Sequence, residues 1–160
     1  MKILPSVLKQ IIAFIGVLLI IVSCNSNTND KQLKFNEPSP RGYSQSVEYN
    51  LGNSKMLFIS GQVAVNENGE IEGINDLQKQ TEQVFKNIQT LVEKSGGSMN
   101  GVVKIEAFFI DLSKIDQFRK AIFKYFDPKK PPSCTVVQVE RLVNKDFLIE
   151  INAVAIIDNH

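Results

Sequence analysis

The sequence has few of the residues that build metal centres and disulfide frameworks. Histidine occurs once, as the last residue His160, and cysteine occurs twice, at Cys24 and Cys134. No cluster of cysteine, histidine and carboxylate residues has the spacing of metal ligands, so we expect neither a metal nor another cofactor. One cysteine lies near the amino terminus and the other deep in the chain, so no disulfide framework is expected.

An excess of charge of one sign is also lacking. The chain has 18 lysines and arginines against 17 aspartates and glutamates, a formal net charge of +1. Proteins that recruit nucleic acid by neutralising its phosphates carry a basic field, so nucleic acid is not expected as a partner and nuclease activity finds no support. With 160 residues, of which 43% are hydrophobic, the chain is long enough for one domain with an ordinary core and a tail.

The first 23 residues have the pattern of an export signal. Lys2 and Lys9 precede an unbroken apolar stretch at residues 11–22, which is too short to span a bilayer comfortably. Residues 21–24, Ile-Val-Ser-Cys, resemble the lipobox of bacterial lipoproteins, in which the signal is cut before the cysteine and that cysteine is lipidated. We therefore expect a signal peptide at residues 1–23 and a lipid on Cys24. A cleaved signal with an incidental cysteine, or an uncleaved anchor, is the alternative.

This signal also predicts where the protein is found. A lipidated Cys24 would hold the chain in the cell envelope, on the periplasmic or surface side of a bacterial membrane. Residues 24–40 are polar and rich in asparagine, and they are predicted to be a flexible tether between the lipid and the folded domain.

The folded part is organised around residues 56–65, Met-Leu-Phe-Ile-Ser-Gly-Gln-Val-Ala-Val. An apolar run of strand character is interrupted by Ser60-Gly61-Gln62 and then resumes. Glycine inside a strand usually marks a bulge, or a place where another group approaches the backbone closely. Ser60 and Gly61 are therefore candidate binding residues, with a solvated bulge at the rim of a sheet as the alternative.

Strand and helix patterns alternate along the rest of the chain. Residues 43–50 and the central strand form a predicted hairpin, and apolar residues at helical spacing predict a helix at 76–94, capped by Asn75. A strand at 102–112 precedes a second helix at 113–126, begun by the capping pair Ser113 and Asp116. Two further strands are predicted at residues 134–142 and 147–157.

This order predicts an α+β fold with a single mixed sheet and both helices on one face. The other face carries too many apolar residues to be left to water, among them Phe108, Ile110, Val154 and Ile156. A contiguous apolar patch of this kind usually marks an interface. We expect other copies of the chain to cover it, because residues 25–40 are too polar to do so.

Five segments between Arg41 and Ile157 carry a resemblance to a known family. They are Gly42–Gln45, Leu57–Gln62, Val102–Lys104, Pro131–Leu142 and Ile149–Ala155. Together they resemble the Rid family, also called YjgF, whose best known members are reactive intermediate deaminases. The resemblance implies a chorismate-mutase-like fold over residues 41–158, assembled as a homotrimer with a barrel core and with three clefts between neighbouring subunits.

The resemblance also implies a chemistry. In deaminating members, an arginine holds the carboxylate of an imino or enamino acid, and a glutamate in the final strand activates the water that attacks the imine carbon. Carried over to this sequence, Glu150 is the catalytic glutamate, and Tyr43, Ser60 and Gly61 bind the substrate. A fixed carboxylate can take a proton from water. Two alternatives stay open: Glu150 as a structural carboxylate, and Tyr43 as an aromatic residue packed on the cleft wall.

The arginine is missing from this chain. Cys134 stands at its place, followed by Thr135, and a cysteine cannot offer the bidentate fork that recognises a carboxylate. We therefore expect a lipid-anchored homotrimer that binds small organic molecules, with imine or enamine deaminase activity weakened, altered or lost. The alternatives are an active 2-imino acid deaminase with Arg119 as the substitute clamp, and a non-catalytic scaffold in the envelope. Arg119 is otherwise a solvated helix charge, and Cys134 is either a reactive thiol of lowered pKa or a small strand residue.

Overall fold

The structure is a computed structural model, and it describes residues 32–159. The predicted signal peptide, the predicted lipidation site Cys24 and the start of the predicted tether lie outside these residues. No helix within residues 32–159 combines the length and the apolar character needed to cross a membrane. The elements, in chain order, are β1 (Leu33–Pro38), β2 (Ser44–Asn50), β3 (Ser54–Gln62), α1 (Leu77–Lys94), β4 (Val102–Phe109), α2 (Ile115–Ile122), β5 (Ser133–Gln138) and β6 (Ile149–Asp158).

All six strands belong to one sheet, in the order β1-β2-β3-β6-β4-β5. Only β4 and β5 are parallel neighbours, and the other neighbouring pairs are antiparallel. Because β3 and β4 are both antiparallel to β6, they run in the same direction, and α1 connects them. The second helix, α2, connects β4 to β5. The prediction of a single mixed sheet with two helices is confirmed.

Both helices pack on the same face of the sheet. The Phe118 ring of α2 lies 6.2 Å from that of Phe85 on α1 and 5.2 Å from that of Phe109 on β4, measured between ring centroids. Alternate strand residues point into this layer, as the two-residue period of a strand requires. The buried apolar residues of β3, β4 and β6 are Leu57, Ile59, Val102, Ile105, Ala107, Phe109, Ile149, Ile151, Ala153, Ala155 and Ile157.

The opposite face, which we call the open face, carries a row of apolar side chains across four strands. Phe35, Val47, Phe58 and Val154 are successive cross-strand partners on β1, β2, β3 and β6. The Phe35 residue is 62% exposed and Phe58 is 44% exposed. A second row contains Ile156, also 44% exposed. Single apolar residues are normal on a surface, but contiguous rows indicate an interface.

Strand β1 corrects the prediction of a tether. Residues 33–38, predicted to be flexible, instead form an edge strand that pairs with β2 from Leu33–Tyr49 to Pro38–Ser44. Side-chain hydrogen bonds hold β1 against β2. Lys34 and Asn36 donate hydrogen bonds of 3.2 and 3.0 Å to the buried carboxylate of Glu48 on β2. The polar side chains that suggest a solvated tether thus have their partners on the next strand, and for residues 33–38 the tether prediction is wrong.

Glu48 joins four elements around one carboxylate. Lys55 of β3 and Ser95, directly after α1, also donate hydrogen bonds to it, at 3.2 and 3.1 Å. Burial raises the pKa of Glu48, but the hydrogen bonds from Asn36, Lys34 and Lys55 outweigh it and lower the pKa from 4.5 to about 2. A carboxyl group with a lowered folded-state pKa stabilises the fold above its unfolded pKa, and this contribution is lost as the pH falls from about 4.5 to about 2.

We expect Glu48→Gln to lower the free energy of unfolding by about 3 kcal/mol at pH 7 and by much less near pH 2. The loss arises because the neutral amide no longer pairs with two lysines. Urea unfolding at the two pH values measures it, with Glu93→Gln on the exposed side of α1 as the matched control. An equal loss at both pH values would show that the carboxylate charge is not what stabilises this cluster.

Both helices begin differently from the prediction. Asp76 rather than Asn75 caps α1, because Asn75 adopts a left-handed conformation with φ of 62° and the extended backbone suited to a cap falls on the next residue. The predicted capping pair of Ser113 and Asp116 is also wrong. A short 3-10 turn at Leu112–Lys114 precedes α2, and in it the Asp111 carboxylate accepts a hydrogen bond from the Ser113 N–H.

Candidate functional site

The central strand is irregular at the residues that its sequence singles out. Successive pairs between β3 and β6 are Ile59–Ala153 and Gln62–Ile151, so β3 has one residue more than β6 in this interval. This extra residue is a bulge, and it falls at Ser60-Gly61, as a glycine inside a strand predicts. Strand β3 ends at Gln62. The prediction that the strand resumes after the bulge and continues to Val65 is therefore wrong.

Gly61 allows the side chain of Glu150 to lie directly against the backbone of β3. A Cβ atom placed on Gly61 would overlap Glu150 Oε1 and would lie 2.8 Å from Glu150 Cδ. Any residue other than glycine would therefore displace the carboxylate. The bulge and the close approach, both typical of strand glycines, occur together here.

Glu150 is a partly buried carboxylate without a partner charge among the described residues. Among residues 32–159, none donates a hydrogen bond to it and no lysine or arginine forms an ion pair with it. Its cross-strand neighbour on the open face is Phe108. Burial raises the pKa of Glu150 above its ordinary value of 4.5. A carboxylate whose pKa is raised by desolvation is suited to accepting and returning a proton.

A cleft of about 710 Å³ opens beside this carboxylate, and we call it the Glu150 cleft. Four of the residues predicted to form the site line it: Tyr43, Ser60, Gly61 and Glu150. The Ser60 hydroxyl donates to the Ser44 carbonyl at 2.6 Å, which leaves its oxygen lone pairs for a ligand. The cleft thus offers an aromatic ring, a hydroxyl oxygen and a carboxylate to a small molecule.

The other predicted site residues lie elsewhere in the chain. Cys134 and Thr135 are on the edge strand β5, beside Ile105 and Glu106 of β4. From the strand order and register, Cys134 is roughly 14 Å from Glu150 along the sheet. Arg119, on α2, donates a 2.8 Å hydrogen bond to Asp116 and is exposed, as expected for a solvated helix charge.

The environment of Cys134 does not activate its thiol. Cys134 is a free, exposed cysteine, and desolvation raises its pKa. A thiolate is stabilised by nearby positive charge, which would lower the pKa instead. In the isolated chain, burial thus acts against a thiol of lowered pKa and favours the interpretation of Cys134 as a small strand residue.

Sequence reasoning missed several residues that line the Glu150 cleft. Arg41 stands two residues before Tyr43 and is the only cation among the described residues of the lining. Gln62 and Asn87 also line the cleft, and hydrogen bonds fix their side chains. Gln62 donates to the Gln45 side chain at 3.2 Å, and Asn87 donates to the Val63 carbonyl at 3.0 Å. The proximity of Arg41 to the Gly42–Gln45 segment was the one signal in the sequence that pointed to it.

Comparisons with known proteins agree with this fold. A family model described as Endoribonuclease L-PSP matches residues 35–157. A RutC family protein of Pyrococcus abyssi is 36% identical over 129 residues, covering 78% of this chain and 96% of the relative. The crystal structure of RidA from an Antarctic Psychrobacter is 31% identical, with a TM-score of 0.63 over 78% of this chain and 97% of that one. This chain belongs to the Rid/YjgF family.

A further Rid structure shows the same architecture. The Rid-family protein YyfA of Yersinia pestis is 27% identical to this chain, with a TM-score of 0.66 over 77% of this chain and 98% of that one. The matched range of the Rid family begins inside β1, which agrees with β1 being part of the domain and not of a tether. All residues of the Glu150 cleft fall inside the matched range.

We expect Gly61→Ala to displace the Glu150 carboxylate and leave the fold in place. The added methyl group meets the far end of a flexible side chain, which can swing out toward water. The pKa of Glu150, followed by NMR titration, should therefore move back toward 4.5. The double variant Gly61→Ala/Glu150→Ala is the control, since thermal unfolding should show no added cost of the methyl group once the carboxylate is gone. An unchanged Glu150 pKa in Gly61→Ala would contradict the close approach.

Proposed function

We propose that this protein binds small imines or enamines in the Glu150 cleft and hydrolyses them, with a substrate range altered from that of deaminases that carry the strand arginine. The observation that carries the proposal is the unpaired, desolvated carboxylate of Glu150, held against Gly61 in a cleft of about 710 Å³. Membership of the Rid family supports a deaminase or small-molecule-binding role.

The chemistry asks little of the protein beyond orientation and one proton acceptor. Glu150 takes a proton from a water molecule, whose oxygen adds to the electrophilic imine carbon. Glu150 returns this proton to the nitrogen, which gives a tetrahedral adduct with one hydroxyl and one amino group. As the adduct collapses to a carbonyl compound, the C–N bond breaks, the hydroxyl proton passes to the nitrogen by way of the Glu150 carboxylate, and ammonia leaves. The raised pKa of Glu150 supports this role, because a base works best when its pKa approaches the working pH.

The change of substrate range follows from Cys134. By the resemblance to the family, the position that supplies the carboxylate clamp carries a thiol, which forms no bidentate pair with a carboxylate. The alternative clamp Arg119 is disfavoured, since its guanidinium is bonded to Asp116 on the same helix. Recognition of a substrate carboxylate on this chain would therefore have to come from a residue outside β5.

We propose further that three copies of the chain assemble through their open faces. The exposed apolar rows containing Phe35, Phe58 and Ile156 support this, because an isolated protomer would leave them in water. Cys134 and Thr135 would then reach the Glu150 cleft from the β5 strand of a neighbouring copy, since they do not reach it within their own chain.

We also propose that the protein is located in the bacterial cell envelope. The lipobox-like residues 21–24 support a lipid on Cys24 and attachment in the bacterial cell envelope, with residues 25–32 left as a short spacer before β1. A non-catalytic scaffold in the envelope is the competing function. Such a scaffold would not require a desolvated carboxylate in a cleft.

Ammonia release from freshly generated imines tests the proposed reaction. An amino-acid oxidase can supply 2-iminopropanoate and 2-iminobutanoate in situ, and an amine oxidase can supply imines that lack a carboxylate. We expect the purified protein to accelerate ammonia release above the buffer rate for part of this panel. Ligand-induced thermal stabilisation without any acceleration would favour a binding protein, and would contradict hydrolysis.

A further inference from the structure

Two charged side chains of opposite sign line the Glu150 cleft, Glu150 and Arg41. Glu150 belongs to β6, whereas Arg41 belongs to the turn between β1 and β2. The two therefore approach the cleft from different elements. The strand that carries the family's arginine, β5, is the farthest from this turn, at the opposite edge of the sheet.

Hydrogen bonds hold the turn that carries Arg41. The Ser39 N–H donates to the Tyr43 carbonyl at 2.7 Å, and the Gly42 N–H donates to the Ser39 carbonyl at 3.1 Å. The Arg41 N–H donates to the Ser39 hydroxyl at 3.2 Å. Gly42 has φ of 87°, a conformation that favours glycine and that closes this turn. The backbone of Arg41 is thus fixed at the cleft beside Tyr43.

The charge of Arg41 is not used inside the domain. Within residues 32–159, no carboxylate lies at ion-pair distance from its guanidinium. Glu150 is not its partner either, because burial alone acts on the pKa of Glu150. By contrast, Arg119 is paired with Asp116 at 2.8 Å. An exposed cation and a carboxylate that share a cleft without pairing leave space for a ligand between them.

We propose that Arg41 determines the specificity of this cleft by binding the carboxylate of a small imino or enamino acid. This inference rests on the proposed function and names its substrate class. A guanidinium donates two parallel hydrogen bonds to a carboxylate, the recognition that a cysteine on β5 cannot provide. With the carboxylate held from the β1–β2 turn, the imine carbon is presented to Glu150 from a different wall of the cleft.

One other arginine near Glu150 is a competitor for this role. Arg141 lines a separate, shallower hollow of about 530 Å³ that shares Glu150 and Val143 with the Glu150 cleft. That hollow contains neither Tyr43 nor Ser60, so it lacks the aromatic ring and the hydroxyl that would complete a small-molecule site. The geometry favours Arg41, and the two arginines can be compared directly.

Binding of 2-oxobutanoate, a stable carbonyl analogue of 2-iminobutanoate, tests the inference, with the neutral 2-oxobutanamide as the second probe. We expect Arg41→Met to weaken 2-oxobutanoate binding roughly ten- to a hundredfold. Arg41→Lys should recover part of this loss, because it keeps the charge and not the fork. Binding of 2-oxobutanamide should be equal in the wild type and Arg41→Met. Arg119→Met and Arg141→Met are the matched controls and should bind 2-oxobutanoate as the wild type does.

The outcomes separate this inference from the proposed function. Wild-type binding of 2-oxobutanoate that Arg41→Met loses, without any ammonia release from imines, would support Arg41 and contradict hydrolysis. Imine hydrolysis with the same KM in the wild type and Arg41→Met would support hydrolysis and overturn the role of Arg41. The role is also overturned if Arg141→Met alone loses 2-oxobutanoate binding, or if the wild type does not bind 2-oxobutanoate.

Discussion

Replacing Glu150 by glutamine is expected to lower kcat for imine hydrolysis roughly 10²- to 10⁴-fold, because the amide cannot take a proton from water. The substitution keeps the shape of the side chain against Gly61, so ligand binding should change little. Removing an unpaired, partly buried charge should also stabilise the fold, which makes a higher melting temperature part of the expected result. Ammonia release and thermal unfolding of the same samples measure both effects.

The pH profile gives an independent check on Glu150. The reaction needs the deprotonated carboxylate, so kcat/KM of the wild type should fall as the pH drops through a pKa above 4.5. Glu93→Gln, an exposed substitution on α1, serves as the control and should leave rate and profile unchanged. A Glu150→Gln variant that keeps its rate and loses stability would identify Glu150 as a structural carboxylate, the alternative that the sequence leaves open.

Phe58→Glu is expected to dissociate the proposed trimer and to abolish both ligand binding and turnover. Phe58 lies in the middle of the apolar row on the open face, where a glutamate would have to be buried without a partner charge. The protomer should remain folded, because Phe58 is 44% exposed and contributes little to the core beneath the helices. Sedimentation equilibrium and circular dichroism distinguish dissociation from unfolding.

Phe123→Glu is the matched control for this prediction. Phe123 is 62% exposed and directly follows α2, in the helix layer away from the open face. The same change of residue type there should leave the assembly and the activity intact. An assembled and active Phe58→Glu variant would show that the open face does not form the interface.

The sequence predicts the part of the site that is local along the chain. The bulge and the close approach at Gly61 can be predicted from a single glycine in an apolar strand. Glycine weakens a strand, so its presence there usually marks one of these two features. Glu150 stands out in the same way, as a carboxylate on an otherwise apolar strand. The order of strands and helices also follows from local patterns, and it suffices to predict one sheet with both helices on one face.

What the sequence does not predict depends on partners distant along the chain. Strand β1 looks like a polar tether until Lys34 and Asn36 are placed against Glu48, a partner that periodicity cannot indicate. Arg41 and Arg119 are similar as isolated charges, and only the fold brings one to the cleft and pairs the other with Asp116. The cap of α1 is one residue later than predicted, because the backbone of Asn75 adopts a left-handed conformation.

The mass of the protein in solution tests the central claim most directly, because we propose that neighbouring copies complete the cleft. Sedimentation equilibrium at micromolar concentration should give three times the chain mass, with the mass of a single folded chain appearing only in Phe58→Glu. A wild-type protein that sediments as one well-folded protomer would contradict the account. The apolar rows of the open face would then be stable in water, and Cys134 would not reach the cleft of another copy.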